Sequence, residues 1–285
     1  MWRWLLGASP DPGMSHPWGL GGAVPEDLDL SAYLLRIGVR GELRPDLETL
    51  RALHLGHATS IPFENLDIQM GLPIPLDLAS LQAKLVRHRR GGYCFEQNTL
   101  FLAVLKAVGF EVIACEARVR LGTPEVLPRT HMMLVVRMGE GYLLCDVGFG
   151  GEGLLLPVPL DGAVHTQFQN AYRVHPDSGL QVLQSLHHGR WGDLYAFQPE
   201  PRFPVDFAVA NHYTSTHPES RFVTTLTAQL PGTSVRRVLR NRTYTELSGD
   251  HLVARELAPG EVVDTLRQAF GIIVPEGAVF RALAG

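Results

Sequence analysis

At Gly109 the hydrophobic pattern of this 285-residue chain changes its period. Before it, apolar residues recur every three or four positions, as on one face of a helix; after it, they gather in short β-branched runs separated by turn residues. Leu30, Tyr33, Leu34 and Ile37 mark a first helix that stops at Gly38, and Leu47, Leu50 and Leu53 a second over residues 45–55. Asp77 is placed to cap a third, over residues 78–89, and Gly109 to end a fourth, over residues 95–108. Strands are expected over residues 111–121, 154–160, 171–174, 180–186 and 191–197, with a hairpin between the first two. A short helix over 207–212, strands over 223–230 and 234–247, and an amphipathic helix over 261–270 complete the chain. Helices followed by strands define an α+β fold, and evenly spaced short strands point to a small barrel or sandwich.

Between the third and fourth helices lies Arg90-Gly91-Gly92-Tyr93-Cys94-Phe95-Glu96-Gln97-Asn98. The paired glycines allow a sharp turn, which puts Cys94 at a helix start. There the free N–H groups and the helix dipole favour a thiolate, the nucleophilic form of the side chain. Such a residue calls for a base.

The hairpin supplies both a base and an acid to orient it. His131 opens the run Met132-Met133-Leu134-Val135-Val136, and Asp146 lies in the next, with Gly139-Glu140-Gly141 between them. If Gly139-Glu140 is a two-residue type II′ turn, Met138 pairs with Gly141, Met133 faces Asp146, and His131 falls opposite Gly148. His131 and Asp146 then share one face as diagonal neighbours, about 7 to 8 Å apart at the backbone. A three-residue loop without a bulge would put them on opposite faces. Cys145, next to Asp146, points away from it. Cys, His and Asp together make an activated acyl-accepting nucleophile.

Other features narrow the function by exclusion. A composition 45% hydrophobic and 19% charged is that of a folded globular protein, and a net charge of −4 leaves no broad basic surface for nucleic acid. No apolar run is long enough for a membrane helix. Cys94, Cys115 and Cys145 form an odd set without Cys-x-x-Cys spacing, which fits a reducing, cytoplasmic setting and gives no tetrahedral metal site. Cys115 and Cys145 fit as core residues, His54 and His57 as surface or packing residues, and His187-His188 as the tip of a turn. Pro62 forces a break after the second helix, and Glu64 just beyond it is a candidate ion-pair partner for Arg90. Residues 1–26, rich in Gly, Pro and Trp and without period, read as a loosely held extension, with Met14 an alternative start.

Four segments occur in an order that resembles the arylamine N-acetyltransferase family: Ile61-Pro62-Phe63-Glu64-Asn65-Leu66, the stretch from Arg90 to Asn98, Thr130-His131-Met132, and Asp146-Val147-Gly148-Phe149-Gly150. The likeness runs from about Asp27 into the last third, where residues 211–222 also resemble a family segment. Tyr93 stands where many members carry another aromatic. The resemblance implies a helical bundle (residues 27–110) carrying Cys94, a β-barrel (111–205) carrying His131 and Asp146, and an α/β lid (206–285). It implies acetyl transfer from acetyl-coenzyme A, a substrate and not a resident cofactor, to small aromatic amines or hydrazines. Cys94 is then acetylated, His131 is the base and Asp146 its orienter, with Phe63, Val119, Phe149, Gly150 and Phe222 at pocket-lining positions. An amide synthase using a larger acyl donor, and a non-enzymatic acyl-carrier or coenzyme-binding module, are the competing readings.

Overall fold

A computed structural model describes residues 27–123, 125–249 and 251–284, so the expectation for residues 1–26 lies outside the described residues. The N-terminal part is helical: α1 (Leu30–Ile37), α2 (Leu47–Ser60), the two-residue β1 (Phe63–Glu64), α3 (Leu66–Gln69), α4 (Leu78–Leu81) and α5 (Cys94–Val108). Several boundaries have a local cause. Asp29, Asp46 and Asp77 accept hydrogen bonds from the first-turn amides of α1, α2 and α4, while Gly38 and Gly109 close α1 and α5 in the left-handed conformation. The third expected helix is not uniform. After α4 it loosens into a π-helix over Gln82–Arg87, and Arg89 (φ 53°) then turns the chain.

The strands that follow are β2 (Glu111–Val119), β3 (Arg129–Met138), β4 (Gly141–Cys145), β5 (Val158–Pro159), β6 (His165–Gln167), β7 (Asn170–Asp177), β8 (Leu180–His187) and β9 (Arg190–Phe197). They form one antiparallel sheet in the order β5-β4-β3-β2-β9-β8-β7-β6, which curls until β5 lies against β7 and the barrel is nearly closed. Beyond it come α6 (Pro204–Thr216), α7 (Arg221–Thr224), β10 (Thr227–Leu230), β11 (Arg236–Arg240), β12 (Thr243–Ser248), β13 (His251–Glu256) and α8 (Glu261–Phe270). The second sheet runs β1-β10-β11-β12-β13, so a strand from the helical part forms its first edge. The fold is α+β, with a helical N-terminal part, a central barrel and an α/β C-terminal part.

Strands β2 and β3 are buried on both faces, and this joins the layers. Val112, Ala114, Met132, Leu134 and Val136 pack with Phe95, Phe101 and Leu105 of α5; Ile113, Cys115, Ala117, Met133 and Val135 fill the barrel with Tyr195 and Phe197. Fully burying each of the Val, Ile, Leu, Met and Phe side chains among them stabilises the fold by about 1.5–3 kcal/mol. A third core gathers Leu66, Leu226, Leu239, Val262, Leu266 and Phe270 under α8.

Several expected strands differ from the structure. Of residues 154–160 only Val158–Pro159 is strand, because the Gln167 side chain takes the place of a neighbouring strand: it accepts from the amides of Leu155 and Leu156 and donates to the Leu156 carbonyl. Residues 221–224 are a helical turn capped by Ser220, whose exposed carbonyls are claimed by Asn65 and Gln69. The expected strand 234–247 is two strands joined through Asn241 (φ 51°), and β13 follows as a further strand. The short helix at 207–212 extends over Pro204–Thr216. Helix α2 continues to Ser60, which places His54 inside it and His57 in its last turn; both are fully buried, in packing positions and not at the surface.

Candidate active site

The loop ahead of Cys94 is held by close backbone contact. Gly92 donates to the Pro62 carbonyl (3.3 Å) and its own carbonyl accepts from Glu64 N–H (3.1 Å). A Cβ on Gly91 would lie 1.9 Å from the Pro62 oxygen, and one on Gly92 would lie 2.7 Å from the Glu96 carboxylate. The glycines are needed for this approach; the left-handed turn itself falls on Arg89.

Five buried or half-buried charges brace the loop from below. Arg90 meets Glu64 Oε1 (2.8 Å) and Asp67 Oδ1 (2.8 Å), and Lys84 meets Asp67 Oδ2 (2.6 Å) and Glu96 Oε1 (2.7 Å). The anticipated Glu64–Arg90 pair is therefore present, within a wider cluster. Lys84 reaches it from the π-helix, and the Lys84 carbonyl also accepts from Arg90 N–H (3.0 Å). Burial pushes the Glu96 carboxyl up, to about 7, against the opposing pull of Lys84. Its second oxygen accepts from Tyr93 N–H (3.1 Å), capping α5 one residue before Cys94.

Cys94 is the first residue of α5 and is 3% exposed; its thiol points at the Thr130 carbonyl, 3.7 Å away. The hairpin has the register that a two-residue turn gives. Met138 pairs with Gly141 and Leu134 with Cys145, and Gly139 alone takes positive φ (59°), as in a type II′ turn. His131 and Asp146 consequently share the barrel face, with His131 Nε2 2.6 Å from Asp146 Oδ2, while Cys145 packs on the helical side. The second carboxylate oxygen, Oδ1, accepts from Asn98 Nδ2 (3.0 Å) and Gly148 N–H (2.9 Å).

These partners set the charges. Burial opposes a charged imidazole at His131, but the Asp146 carboxylate beside it, and after that the Cys94 side chain, outweigh burial and push it up to about 10. Burial likewise works against a charged Asp146, and His131, Asn98 and the Gly148 amide overcome it, holding the carboxyl below its ordinary value. The His131 ring is packed between Tyr195 (centroids 4.8 Å) and Phe149 (5.1 Å), which fix its plane.

Of the proposed lining residues, Phe63 and Phe222 are in contact (5.9 Å), and Phe222 also meets Tyr93 (5.4 Å). Gly150 (φ 91°) lies against Phe63 and Gln229, where a Cβ would come within 2.6 Å of the Gln229 amide oxygen. Phe149 abuts His131. Val119, on β2 opposite Tyr195, lines a cleft of ≈ 550 Å³ with Arg118, Leu127 and Asp193. Among the described residues, no three His, Cys, Asp or Glu side chains are placed to hold a metal ion, and no helix is long and apolar enough to cross a membrane.

Sequence reasoning did not single out Asn98, Tyr195, Asp67 or Lys84, and it gave His54 and His57 no part in the site. Only Asn98 had a readable signal, its place four residues after Cys94 on the same helix face. The others are brought in by tertiary packing of separate elements: Tyr195 from β9, Asp67 from α3, Lys84 from the π-helix, and His54 and His57 from α2.

An N-acetyltransferase family model matches residues 46–279, which places the chain among acyl-transferring enzymes. The arylamine N-acetyltransferase of Mycolicibacterium smegmatis is 41% identical over 253 residues, 86% of this chain and 92% of that protein. The solved structure of the M. tuberculosis arylamine N-acetyltransferase superposes with a TM-score of 0.86 at 38% identity, over 90% of this chain and 100% of that one. That of Mycobacterium marinum arylamine N-acetyltransferase in complex with CoA gives 0.82 at 37% identity, over 86% and 93%. The chain belongs to the arylamine N-acetyltransferase family.

Proposed function

We propose that this protein transfers the acetyl group of acetyl-coenzyme A to the nitrogen of arylamines or arylhydrazines, in two half-reactions through an acetyl thioester on Cys94. In the first, His131 takes the thiol proton and the Cys94 sulfur attacks the acetyl carbonyl carbon. The carbon–sulfur bond to coenzyme A then breaks, and the departing thiolate is protonated by His131. In the second, the amine nitrogen attacks the Cys94 thioester, His131 accepts the N–H proton, and the Cys94 thiolate leaves. Asp146 holds the imidazole by one nitrogen and stabilises its charged form. An imidazole that keeps its proton to about pH 10 is basic enough to take one from a thiol, whose ordinary value is about 8.5.

The observation that carries this reading is the 2.6 Å contact between His131 and Asp146, on the barrel face beside Cys94 at a helix N-terminus. The coenzyme A bound to the M. marinum relative supports acetyl-coenzyme A as the donor, and the arylamine names of the relatives support the acceptor class. Phe63, Phe149 and Phe222 offer the aromatic surface such an acceptor needs. The three unpaired cysteines support the cytoplasm as its compartment.

Mass spectrometry after addition of acetyl-coenzyme A alone tests the mechanism. One acetyl group is expected on Cys94, removed when an arylamine follows, with ping-pong steady-state kinetics. Cys94→Ser abolishes both steps, and Asp146→Asn slows them with the fold intact. Amine acetylation without any adduct at Cys94 would replace this mechanism by direct transfer.

A further inference from the structure

Two histidines on α2 lie one turn apart, fully buried, outside the constellation described above. Their partners fix their tautomers. A backbone N–H can only donate and a carbonyl can only accept. His54 Nε2 faces Asp146 N–H at 3.1 Å and so accepts; its Nδ1 faces the Leu155 carbonyl at 3.1 Å and so carries the proton. His54 is thus a neutral imidazole bonded at both nitrogens, and burial, which outweighs the nearby Asp146 charge, lowers its pKa to about 4.

His57 is fixed by the same logic. The Gln97 amide nitrogen donates to the carbonyls of Pro62 (3.2 Å) and Gly92 (2.9 Å), so its oxygen faces His57 Nε2 (3.0 Å) as an acceptor. His57 Nε2 therefore donates, and Nδ1 accepts from the Tyr33 hydroxyl (2.8 Å). One face of α2 reaches the nucleophile loop through His57 and Gln97, and the acid directly through His54. Both rings rest edge-on against Phe101 of α5.

The His54 bond falls where the sheet stops supplying one. Pairing of β3 with β4 ends at Leu134 and Cys145, one residue short of Asp146. The Asp146 amide is buried there and would lack a partner without the imidazole. We propose that His54 is a positioning residue for the acetyl-transfer site: by accepting from the Asp146 amide it fixes where the carboxylate meets His131. This rests on the roles given above to Cys94, His131 and Asp146.

Two substitutions separate the bonds that His54 makes. An asparagine amide reaches the Nδ1 position and keeps the donor to Leu155; a glutamine amide reaches the Nε2 position and can accept from Asp146 N–H. His54→Asn is expected to slow acetylation of Cys94 roughly ten- to a hundredfold, as for a misplaced carboxylate, with KM for acetyl-coenzyme A little changed. It also moves the pH profile of Cys94 alkylation by iodoacetamide towards that of a thiol without an ion-paired imidazole. His54→Gln, the conservative variant, restores the parent profile. Equal losses in the two variants, or an unmoved alkylation profile in His54→Asn, would show that His54 only fills space and would overturn the proposal. Imidazole ¹⁵N NMR of the parent protein decides independently of whether either variant folds. Nδ1 protonated and Nε2 bare from about pH 5 to 9 is expected, and the opposite tautomer or a charged ring overturns it. Alkylation and NMR need no acetyl transfer, so a parent that forms no acetyl adduct refutes the proposed function and still leaves the role of His54 decided.

Discussion

Replacing Gly148 with alanine adds one methyl group at the point where the acid strand passes the nucleophile helix. That Cβ would lie 2.7 Å from Asn98 Nδ2, 2.8 Å from Cys94 Cα and 3.2 Å from the Cys94 carbonyl oxygen. Ordinary contact begins at 3.4 Å, so Cys94 Cα and the strand must separate by about 0.6 Å in a core with no slack. Cys94 is backbone at the start of a helix, which cannot rotate out of the way as a flexible side chain would. A displacement approaching 1 Å of a reacting group costs roughly a hundredfold in rate, so a loss of about ten- to a hundredfold in Cys94 acetylation is expected. The overpacking itself should cost about 1–3 kcal/mol, or a Tm drop of roughly 2–12 °C. Single-turnover acetylation followed by mass spectrometry measures the first quantity and thermal melting the second. Gly192→Ala is the control, since its added Cβ meets nothing within 4 Å and its φ is not positive. A Gly148→Ala protein that acetylates Cys94 at the parent rate would show that the spacing between helix and strand does not govern the site.

Three further outcomes are expected. Arg90→Met leaves Glu64, Asp67 and Glu96 with only Lys84 in a buried site, and should cost about 3–5 kcal/mol, or roughly 6–20 °C in Tm. A double-mutant cycle with Glu64→Gln should show that the second change costs less once Arg90 is gone; strict additivity would deny the pair. The raised pKa of His131 contributes stability that is fully present below its unfolded value of about 6.5 and is lost as pH rises through about 10. The stability gap between the parent and Asp146→Asn should accordingly shrink from pH 7 to pH 10 in urea titrations, and a gap that widened would reverse the sign of the argument. Tyr93→Phe removes the hydroxyl that binds Asn211 on α6 while Asn211 keeps its bond to Ile74, so thermal melting should show a loss of only about 1 kcal/mol, or roughly 2–4 °C.

The part of the site that was legible in the sequence rests on short-range periodicity. A two-residue turn fixes hairpin register, and a side-chain period of two then fixes which residues share a face, so His131 and Asp146 were placed together and Cys145 apart. Cys94 at a helix start followed from the residues around it in the same way. What stayed hidden depends on side chains that substitute for backbone partners from far along the chain. Gln167 replaces a strand beside Leu155 and Leu156, Asn65 draws the carbonyls of residues 222 and 225 into a helical turn, and His54 takes an amide from Asp146. No local period records such captures. The strand β13 was missed for another reason: both its faces are exposed, so its sequence carries no alternation to read.

Asn98 shows how these long-range captures bear on the chemistry. It lies four residues after Cys94 on α5, and its amide nitrogen donates to both the Met132 carbonyl (2.8 Å) and Asp146 Oδ1 (3.0 Å) while its oxygen accepts from Val147 N–H (3.2 Å). One helix therefore carries the nucleophile and, one turn along, grips the residue after the base, the acid itself and the residue after the acid. Movement of the barrel relative to the helices would separate His131 from Cys94 only by breaking these three bonds as well. The distance that matters for proton transfer is thus referenced to a single rigid element, while the tip of the hairpin at Gly139 remains free of that constraint.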